Sequence, residues 1–357
     1  MNIPRDFVGV NSPPNNSMWV TCLAILFLGT IFLVAVCGGD PEIEMNVTKV
    51  VTPYDLVACD DARIWINVTP ENEPSANIVL VIDTSFSMKD KYNNIETIDY
   101  AKDAAKTFVG LVNFSSNNVS VVSYNSIATL EQNLTNNATA ILDSIDGLTV
   151  PLEVWRGGTN MGESIRIAQQ ELDKSTDKSI EVIVLFTDGT ATFYGDDVTE
   201  DNYKSRWCGN CPVSDTICSD YAKNEAQKSK DNDTTIFTVG FLGGIEGYCG
   251  NATAVFSRTL LENIASDDTR YYESPTPEEL EEIYCSIYRH IYAATDLIVV
   301  EYLSPIFTVL DGCPGDRCTT FPNGTQKIEF EKDILGFDEI WNIQINITTQ
   351  WAGTFGT

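Results

Sequence analysis

The chain has 357 residues, and its 51 acidic residues outnumber its 22 basic ones, which gives a net charge of −29. That excess of negative charge argues against nucleic acid or an anionic membrane surface as a partner, because both would repel the protein. The one histidine, His290, lies far in sequence from any nucleophile motif, so the sequence predicts a protein that is not an enzyme.

The N-terminal region begins with a short tail, residues 1–17, and continues into an uncharged stretch, residues 18–37. This stretch is long enough to cross the hydrocarbon core of a bilayer as a helix. It has no Ala-x-Ala-like cleavage signature, and it exceeds the usual length of a signal-peptide core. We therefore predict a transmembrane signal anchor over residues 18–38 in preference to a cleaved signal.

Residues 39–75 are predicted to form a flanking β segment. Apolar and polar side chains alternate over residues 61–70, and the apolar ones include Ile64, Ile66 and Val68. This period of two is typical of a strand with one buried face and one exposed face.

A short apolar run, residues 78–82, has no polar side chain on either face, as expected of a parallel strand that is buried on both sides. Asp83, Ser85 and Ser87 follow it at alternate positions. In an open parallel sheet, ligands bind just beyond the carboxyl ends of the strands. Carboxylate and hydroxyl oxygens there, with no histidine or thiol nearby, favour Mg²⁺, with Mn²⁺ or Ca²⁺ as alternatives, over zinc or copper.

Two later segments are expected to complete this site. Thr159 follows two glycines at the start of a helical pattern, and residues 183–187 form a second apolar strand that ends at Asp188. Strands and helices alternate over residues 76–292, which predicts a doubly wound, mostly parallel α/β sheet. The last helix is predicted to begin with a capping box over residues 276–279.

Eight cysteines lie beyond the uncharged stretch, and an even number indicates disulfide bonds formed in an oxidising compartment. Those of one insertion are expected to pair among themselves, or alternatively to bind zinc as a knuckle: Cys208, Cys211, Cys218 and Cys249. Cys313 and Cys318 enclose a tight turn that a local bridge would close. Cys59 and Cys285 are then expected to join the two ends of the α/β domain.

Ten Asn-x-Ser/Thr sequons lie on the same side of the uncharged stretch, as is typical of a glycosylated surface protein. They begin at Asn46, Asn67, Asn113, Asn118, Asn133, Asn137, Asn232, Asn251, Asn323 and Asn346. Together with the cysteines, they predict a single-pass protein of the cell membrane whose α/β domain is extracellular.

The C-terminal segment, residues 293–357, again has the pattern of β strands. Apolar and polar side chains alternate strictly over residues 341–348, and Pro322, Asn323 and Gly324 supply a turn signal before them. Neither flank alone contains enough apolar residues for a core. We therefore expect both flanks to form one small antiparallel β-sandwich, with the α/β domain inserted between them.

Three pieces of the chain resemble the metal-ion-dependent adhesion site of von Willebrand factor type A domains: Asp83, Ser85 and Ser87, then Thr159, then Asp188. They occur in the family's order and near its usual spacing. The resemblance implies that the Ser85 and Ser87 hydroxyls bind Mg²⁺ directly and that Thr159 does so in the ligand-bound state. Asp83 and Asp188 are implied to act mainly through bound water, and the metal to capture a partner's Asp or Glu.

The chain departs from the family pattern at Phe86, between the two serines, where the family usually has glycine. Two interpretations are open: the ring packs on a neighbouring loop, or it shapes the choice of partner. The first is favoured, because a large aromatic side chain is more often buried than exposed to a ligand.

Two classes of function fit these features. The first is a membrane-anchored extracellular adhesion or ligand-binding protein whose metal captures a carboxylate of a protein partner. The second is a structural subunit of a surface appendage or pilus-assembly apparatus. A purified ectodomain that stays monomeric would favour the first class, and one that polymerises would favour the second.

Overall fold

The structure is a computed structural model and describes residues 20–22, 32–37, 45–52, 55–56, 61–70, 75–177, 179–274, 276, 279–292, 294–310, 312–335, 339–349 and 353–354. The chain divides into two compact units. One, the α/β unit, spans Pro74–Tyr292, and the other, the flanking unit, combines Met1–Glu73 with Ala293–Thr357.

The helices all lie in the α/β unit: α1 (Thr97–Leu111), α2 (Ala138–Gly147), α3 (Met161–Leu172), α4 (Ile217–Asp231), α5 (Gly243–Cys249), α6 (Asn251–Ile264) and α7 (Leu280–Ile291) among the described residues. The strands, in chain order, are β1 (Val20–Cys22), β2 (Phe32–Cys37), β3 (Met45–Thr52), β4 (Asp55–Leu56), β5 (Asp61–Pro70), β6 (Ala76–Asp83), β7 (Lys91–Tyr92), β8 (Ile95–Glu96), β9 (Asn118–Tyr124), β10 (Ala128–Thr135), β11 (Ile180–Thr187), β12 (Thr235–Gly240), β13 (Tyr271–Glu273), β14 (Ala294–Leu303), β15 (Phe307–Val309), β16 (Arg317–Thr320), β17 (Gln326–Leu335), β18 (Trp341–Thr349) and β19 (Gly353–Thr354).

The main sheet of the α/β unit has the strand order β10-β9-β6-β11-β12-β13. Strand β10 is antiparallel to β9, and every other neighbouring pair is parallel. The sheet is therefore mixed, with one antiparallel edge strand on an otherwise parallel, doubly wound arrangement.

The central strand β6 is buried along its whole length, which explains its continuous apolar sequence. Its alternate side chains point to two different cores. Ile78, Leu80 and Ile82 join a cluster that includes residues of α1, α2 and α7, while Val79 and Val81 join a cluster with residues of α3, α4 and α6. Helices thus cover both faces of the sheet.

The flanking unit contains two larger antiparallel sheets, ordered β1-β2-β14-β17-β16 and β15-β18-β5-β3. In β5, the alternating Ile64, Ile66 and Val68 are at most 1% exposed. They pack in one apolar cluster with residues of β14, β17 and β18. Since β5 pairs with β18, residues from both ends of the chain share one sandwich-like core.

The predicted transmembrane helix over residues 18–38 is not supported. Part of that range and the tail, residues 1–17, lie outside the described residues. Where it is described, the range forms β1 and β2, and β2 pairs with β14. No helix in the described part of the chain is both long and apolar enough to cross a bilayer. An uncharged run of Leu, Val and Phe suits a strand as well as a membrane helix, and hydropathy alone does not separate them.

The last helix also begins later than its capping-box pattern predicts. Helix α7 starts at Leu280, and its N-cap residue Glu279 accepts no hydrogen bond through its side chain at the cap. Thr276 instead donates a hydrogen bond from its hydroxyl to the Glu279 carboxylate at 3.3 Å.

Disulfide bonds are present in both units. Cys208 is bonded to Cys218 and Cys211 to Cys249, so the insertion's four cysteines pair with one another, and Cys313 is bonded to Cys318. Cys285 on α7 forms no disulfide with a described cysteine. Cys59 lies outside the described residues, so the Cys59–Cys285 bond stays a prediction.

A buried ion pair crosses between the two sheets of the flanking unit. The Lys49 ammonium on β3 lies 2.5 Å from the Glu301 carboxylate on β14, and the Glu301 side chain is fully buried. Burial raises the pKa of Glu301 to about 7 despite the Lys49 charge, and burial lowers the pKa of Lys49. Both shifts favour the neutral forms, because burial removes the charged forms from water. The second Glu301 oxygen is also buried without a hydrogen-bond partner among the described residues.

Replacing this pair with apolar residues, Lys49→Met with Glu301→Leu, should leave the protein as stable as wild type or up to roughly 4 kcal/mol more stable near neutral pH. Folded Glu301 keeps its proton up to about pH 7, whereas the unfolded chain releases it near its ordinary pKa of 4.5. Wild type therefore loses stability as the pH rises through this window, and the double variant lacks that loss. Denaturant unfolding of both proteins at pH 5 and pH 8 measures the difference, which should widen at the higher pH. An unchanged difference would contradict the raised pKa.

Candidate metal site

The sheet brings two carboxylates to one edge. Asp83 is the last residue of β6, and Asp188 directly follows β11. The two strands are adjacent and parallel, with Ile82 paired to Phe186. Their carboxyl ends therefore lie side by side, at the edge where open α/β sheets bind ligands.

Four of the five predicted site residues are joined by short hydrogen bonds. The Asp83 carboxylate accepts a hydrogen bond from the Ser85 backbone N–H at 2.8 Å. The Ser85 and Ser87 hydroxyls are 3.1 Å apart, and Ser87 donates to the Asp188 carboxylate at 2.7 Å. Asp83, Ser85 and Asp188 are nearly inaccessible to solvent, and Ser87 lies at the exposed side.

Thr159, the fifth predicted residue, is held to the Asp188 loop by its backbone. Its N–H donates to the Thr192 hydroxyl at 2.8 Å, and its carbonyl accepts hydrogen bonds from the backbone N–H groups of Thr192 and Phe193. The next residue, Asn160, caps α3 by accepting a hydrogen bond from the Glu163 N–H. The Thr159 hydroxyl forms no hydrogen bond with a described residue, so it is available as a ligand.

Two supporting hydroxyls were missed in the sequence. Thr187 donates to the second oxygen of Asp83 at 2.7 Å, and Thr192 holds Thr159 as described above. Thr187 had a detectable signal, since it sits between the apolar strand and Asp188. Thr192 had none, because its role depends on a contact between two loops that are distant in sequence.

The electrostatics of the site favour a bound cation. Burial raises the pKa of Asp83 to about 6, although hydrogen bonds from Thr187 and Ser85 oppose the shift. Burial, together with the negative charge of Asp83, raises the pKa of Asp188 well above its usual range. Neither carboxylate forms an ion pair with a lysine, arginine or histidine in the described part of the chain. Two buried carboxylates without a basic partner destabilise the folded protein unless a cation binds beside them.

The donor atoms also fit a hard cation. They are carboxylate and hydroxyl oxygens, which suit Mg²⁺, Mn²⁺ or Ca²⁺. Among the described residues there is no group of three or more His, Cys, Asp or Glu side chains suited to a metal, so a metal here would depend on the hydroxyls. One buried hydroxyl nearby, that of Thr190, has no hydrogen-bond partner.

Two aromatic rings hold the loop that carries Thr159. A Cβ atom added at Gly157 would lie 2.5 Å from the Phe86 ring, and one added at Gly158 would lie 2.1 Å from the Phe193 ring. The Phe86 N–H also donates to the Gly157 carbonyl at 3.1 Å. The packing interpretation of Phe86 agrees with these contacts, yet its side chain is still 36% exposed.

Substituting Gly158 with alanine is expected to destabilise the α/β unit by about 1–3 kcal/mol, because the added methyl group collides with the buried Phe193 ring. The same collision would displace Thr159 and weaken metal-dependent binding. The control is Gly147→Ala at the end of α2, where an added Cβ meets nothing within 4 Å. Thermal unfolding of both variants measures the cost. Equal stability of the two variants would contradict the tight packing at Gly158.

His290 lies elsewhere in the α/β unit, on α7. Its Nδ1 atom is 2.8 Å from the Tyr272 hydroxyl, and its ring is 6.0 Å from that of Phe237. Burial lowers the pKa of His290 and so favours the neutral ring. These contacts are those of a packed structural side chain.

Comparison with known proteins agrees with this geometry. Residues 78–190 match the family model described as von Willebrand factor type A domain, and the match includes all five predicted site residues. This part of the chain is similar to von Willebrand factor type A domains. No curated protein sequence matches the chain.

Solved structures with a similar fold include the pilus adhesin SpaC from Lactobacillus rhamnosus GG in its open conformation. The TM-score is 0.57 at 17% identity, over 88% of this chain and 44% of that chain. The minor pilin PilB from Streptococcus sanguinis is similar with a TM-score of 0.51 at 16% identity, over 72% of this chain and 81% of that chain. The present chain thus spans less than half the length of SpaC, and identities this low establish similarity of fold.

Proposed function

We propose that the protein is an adhesion protein whose type A domain captures a carboxylate of a protein partner through a bound divalent cation. The observation that carries this proposal is the pair of buried carboxylates, Asp83 and Asp188, which share one site with serine hydroxyls and have no basic partner among the described residues. The partner contributes an Asp or Glu, and nucleic acid is disfavoured by the net charge of −29.

Each of the five site residues has a proposed role. Ser85, Ser87 and Thr159 hold the cation through their hydroxyls. Asp83 and Asp188 balance its charge, mainly through bound water. A bound Mg²⁺, or Mn²⁺ or Ca²⁺, supplies an electrophilic position for a carboxylate oxygen, which suits an ion that keeps few direct carboxylate ligands. Thr187 and Thr192 orient Asp83 and Thr159 and so keep the ligands in position.

The proposed location is the cell surface, with the type A domain outside the cell. Disulfide bonds in both units support an oxidising compartment, and the ten sequons agree with it. Attachment as a single-pass membrane protein through residues 18–38 stays a prediction. Protease treatment of intact cells that removes the type A domain would support the location, and full protection would contradict it.

A second candidate function is a structural subunit of a surface appendage or pilus. Its support is the likeness in fold to the minor pilin PilB, of whose chain 81% is covered. The candidates differ in their need for metal and in assembly. A structural subunit would polymerise with or without a chelator, whereas an adhesion protein would stay monomeric and need the cation to bind.

The direct test of the adhesion proposal is a calorimetric titration of the full chain with Mn²⁺ and Mg²⁺, followed by capture of surface proteins in Mg²⁺ or in a chelator. We expect one divalent ion bound per chain and partner capture in Mg²⁺ alone. Capture that is the same in chelator would overturn the proposal and favour the structural role.

A further inference from the structure

The loop that leads to Thr159 carries strongly exposed apolar side chains. Leu152 is 82% exposed and Val154 is 74% exposed, and Leu152 is the most exposed large apolar side chain in the described part of the chain. Single exposed apolar residues are common on protein surfaces, but two on one loop beside a candidate ligand site indicate a contact surface.

This loop is fixed next to the metal site. The Gly157 N–H donates to the Val154 carbonyl at 3.2 Å, which closes a turn, and the Gly157 carbonyl accepts a hydrogen bond from Phe86. The Phe86 ring packs on Gly157 and stands between the ligands Ser85 and Ser87 in the sequence. Phe86 therefore lies beside the loop that carries Leu152 and Val154, and we call these three exposed side chains the apolar rim.

Charged side chains around the apolar rim suit an acidic partner. Lys89 and Arg156 lie in the same two loops, Lys91 begins strand β7 just after the first of them, and none of the three forms an ion pair with a described residue. The Lys89 ammonium lies 5.9 Å from the centre of the Phe86 ring. Asp90 and Glu153 are the acids of the two loops, and Glu96 is paired with Lys91 between β7 and β8, so the surroundings of the rim carry three basic and three acidic side chains. In a chain with a net charge of −29, these balanced charges repel an acidic partner less than the rest of the chain does.

We infer that the apolar rim selects the residues beside the captured carboxylate, so that the partner is an acidic protein segment whose Asp or Glu is flanked by a large apolar side chain. This inference rests on the proposed function, because the carboxylate must first bind the cation. An apolar neighbour of that carboxylate would cover Leu152, Val154 and Phe86 and remove them from water, which favours binding. The carboxylate alone would bind weakly and without selectivity.

The test uses two peptides, Gly-Gly-Asp-Gly-Gly and Gly-Leu-Asp-Leu-Gly, immobilised at equal density, with Gly-Leu-Asn-Leu-Gly as the control that lacks a carboxylate. Binding of the full chain is measured in Mg²⁺ and in chelator. Wild type is compared with the double variant Leu152→Ser, Val154→Ser. The matched control is Val213→Ser, at an apolar residue of the disulfide-bonded insertion that is 61% exposed.

In Mg²⁺ we expect wild type to bind the leucine-flanked aspartate peptide about tenfold more tightly than the glycine-flanked one. The double variant should bind both aspartate peptides within about twofold of one another, while Val213→Ser keeps the wild-type preference. A preference that survives in the double variant would overturn the inference and leave the proposed function standing. Binding that is the same in Mg²⁺ and in chelator would overturn the proposed function itself. Equal binding of the asparagine peptide and the leucine-flanked aspartate peptide would do so too.

Discussion

Replacing Asp188 with alanine is expected to abolish Mg²⁺-dependent partner binding and to weaken Mg²⁺ binding by at least about 100-fold. Asp188 supplies one of the two buried negative charges at the site, and its oxygen accepts the Ser87 hydrogen bond at 2.7 Å. Without it, the cation loses charge compensation and one proposed ligand loses its orientation. Calorimetric titration and partner capture measure the two losses.

In chelator, the same variant should lose no stability, although it loses metal and partner binding. Burial and the Asp83 charge raise the pKa of Asp188, so the folded state without metal is destabilised as the pH rises above the ordinary range of a carboxyl group. Alanine removes this repulsion, and we expect the variant to be at least as stable as wild type in chelator near neutral pH. Added Mg²⁺ at 100 times the wild-type dissociation constant should stabilise wild type by about 2.7 kcal/mol and the variant by no more than about 0.4 kcal/mol.

Two further variants separate the possible causes. Asp90→Ala removes an exposed acid from the loop that carries Ser85 and Ser87, and it should keep the Mg²⁺ effect. Thr159→Ala should weaken partner binding more than Mg²⁺ binding, because its hydroxyl is proposed to bind chiefly in the ligand-bound state. If the unfolding temperature of wild type is the same with and without Mg²⁺, the site holds no cation.

The grouping of Asp83, Ser85, Ser87 and Asp188 was predictable because polar residues follow the ends of two adjacent buried strands. A parallel strand buried on both faces must be continuously apolar, as β6 is, so the polar residues that follow it stand out. The mixed sheet brings the ends of β6 and β11 together, and hydrogen bonds connect Asp83, Ser85, Ser87 and Asp188 as their order in the chain suggests. Thr192 could not be predicted in this way, since no local pattern marks a hydroxyl that supports a distant loop.

The helix predicted over residues 18–38 is not supported in the described residues, for a different reason. Hydropathy counts apolar residues but does not say what covers them. In the structure, Phe32–Cys37 is a strand that pairs with β14, and such a pairing between distant segments leaves no trace in the local sequence. The start of α7 was misassigned because Thr276 bonds with the Glu279 side chain, whereas a capping box requires bonds to backbone N–H groups.

The second large effect concerns the disulfides of the α/β unit. Replacing Cys211 and Cys249 with serine is expected to destabilise the domain by about 4 kcal/mol, since the bond closes a separation of 38 residues and the chain-entropy cost grows with loop length. Both cysteines lie at or near the surface, so the serines add no buried polar group. The Cys208–Cys218 bond is less suited to this test, because Cys218 is fully buried in a core cluster. Denaturant unfolding of the variant and of wild type measures the loss.

The control for the disulfide prediction is Cys313→Ser with Cys318→Ser. That bond closes a separation of only five residues and lies in the flanking unit, so the expected cost is about 2 kcal/mol. A reductant should lower the stability of wild type further than that of the Cys211, Cys249 variant, which has already lost the longest loop closure among the disulfides of the described residues. Equal unfolding midpoints for the variant and wild type would contradict the prediction. A loss of about 4 kcal/mol is a large part of the stability of an ordinary domain, so an α/β unit that depends on this bond would be suited to an oxidising compartment, where disulfides form and persist.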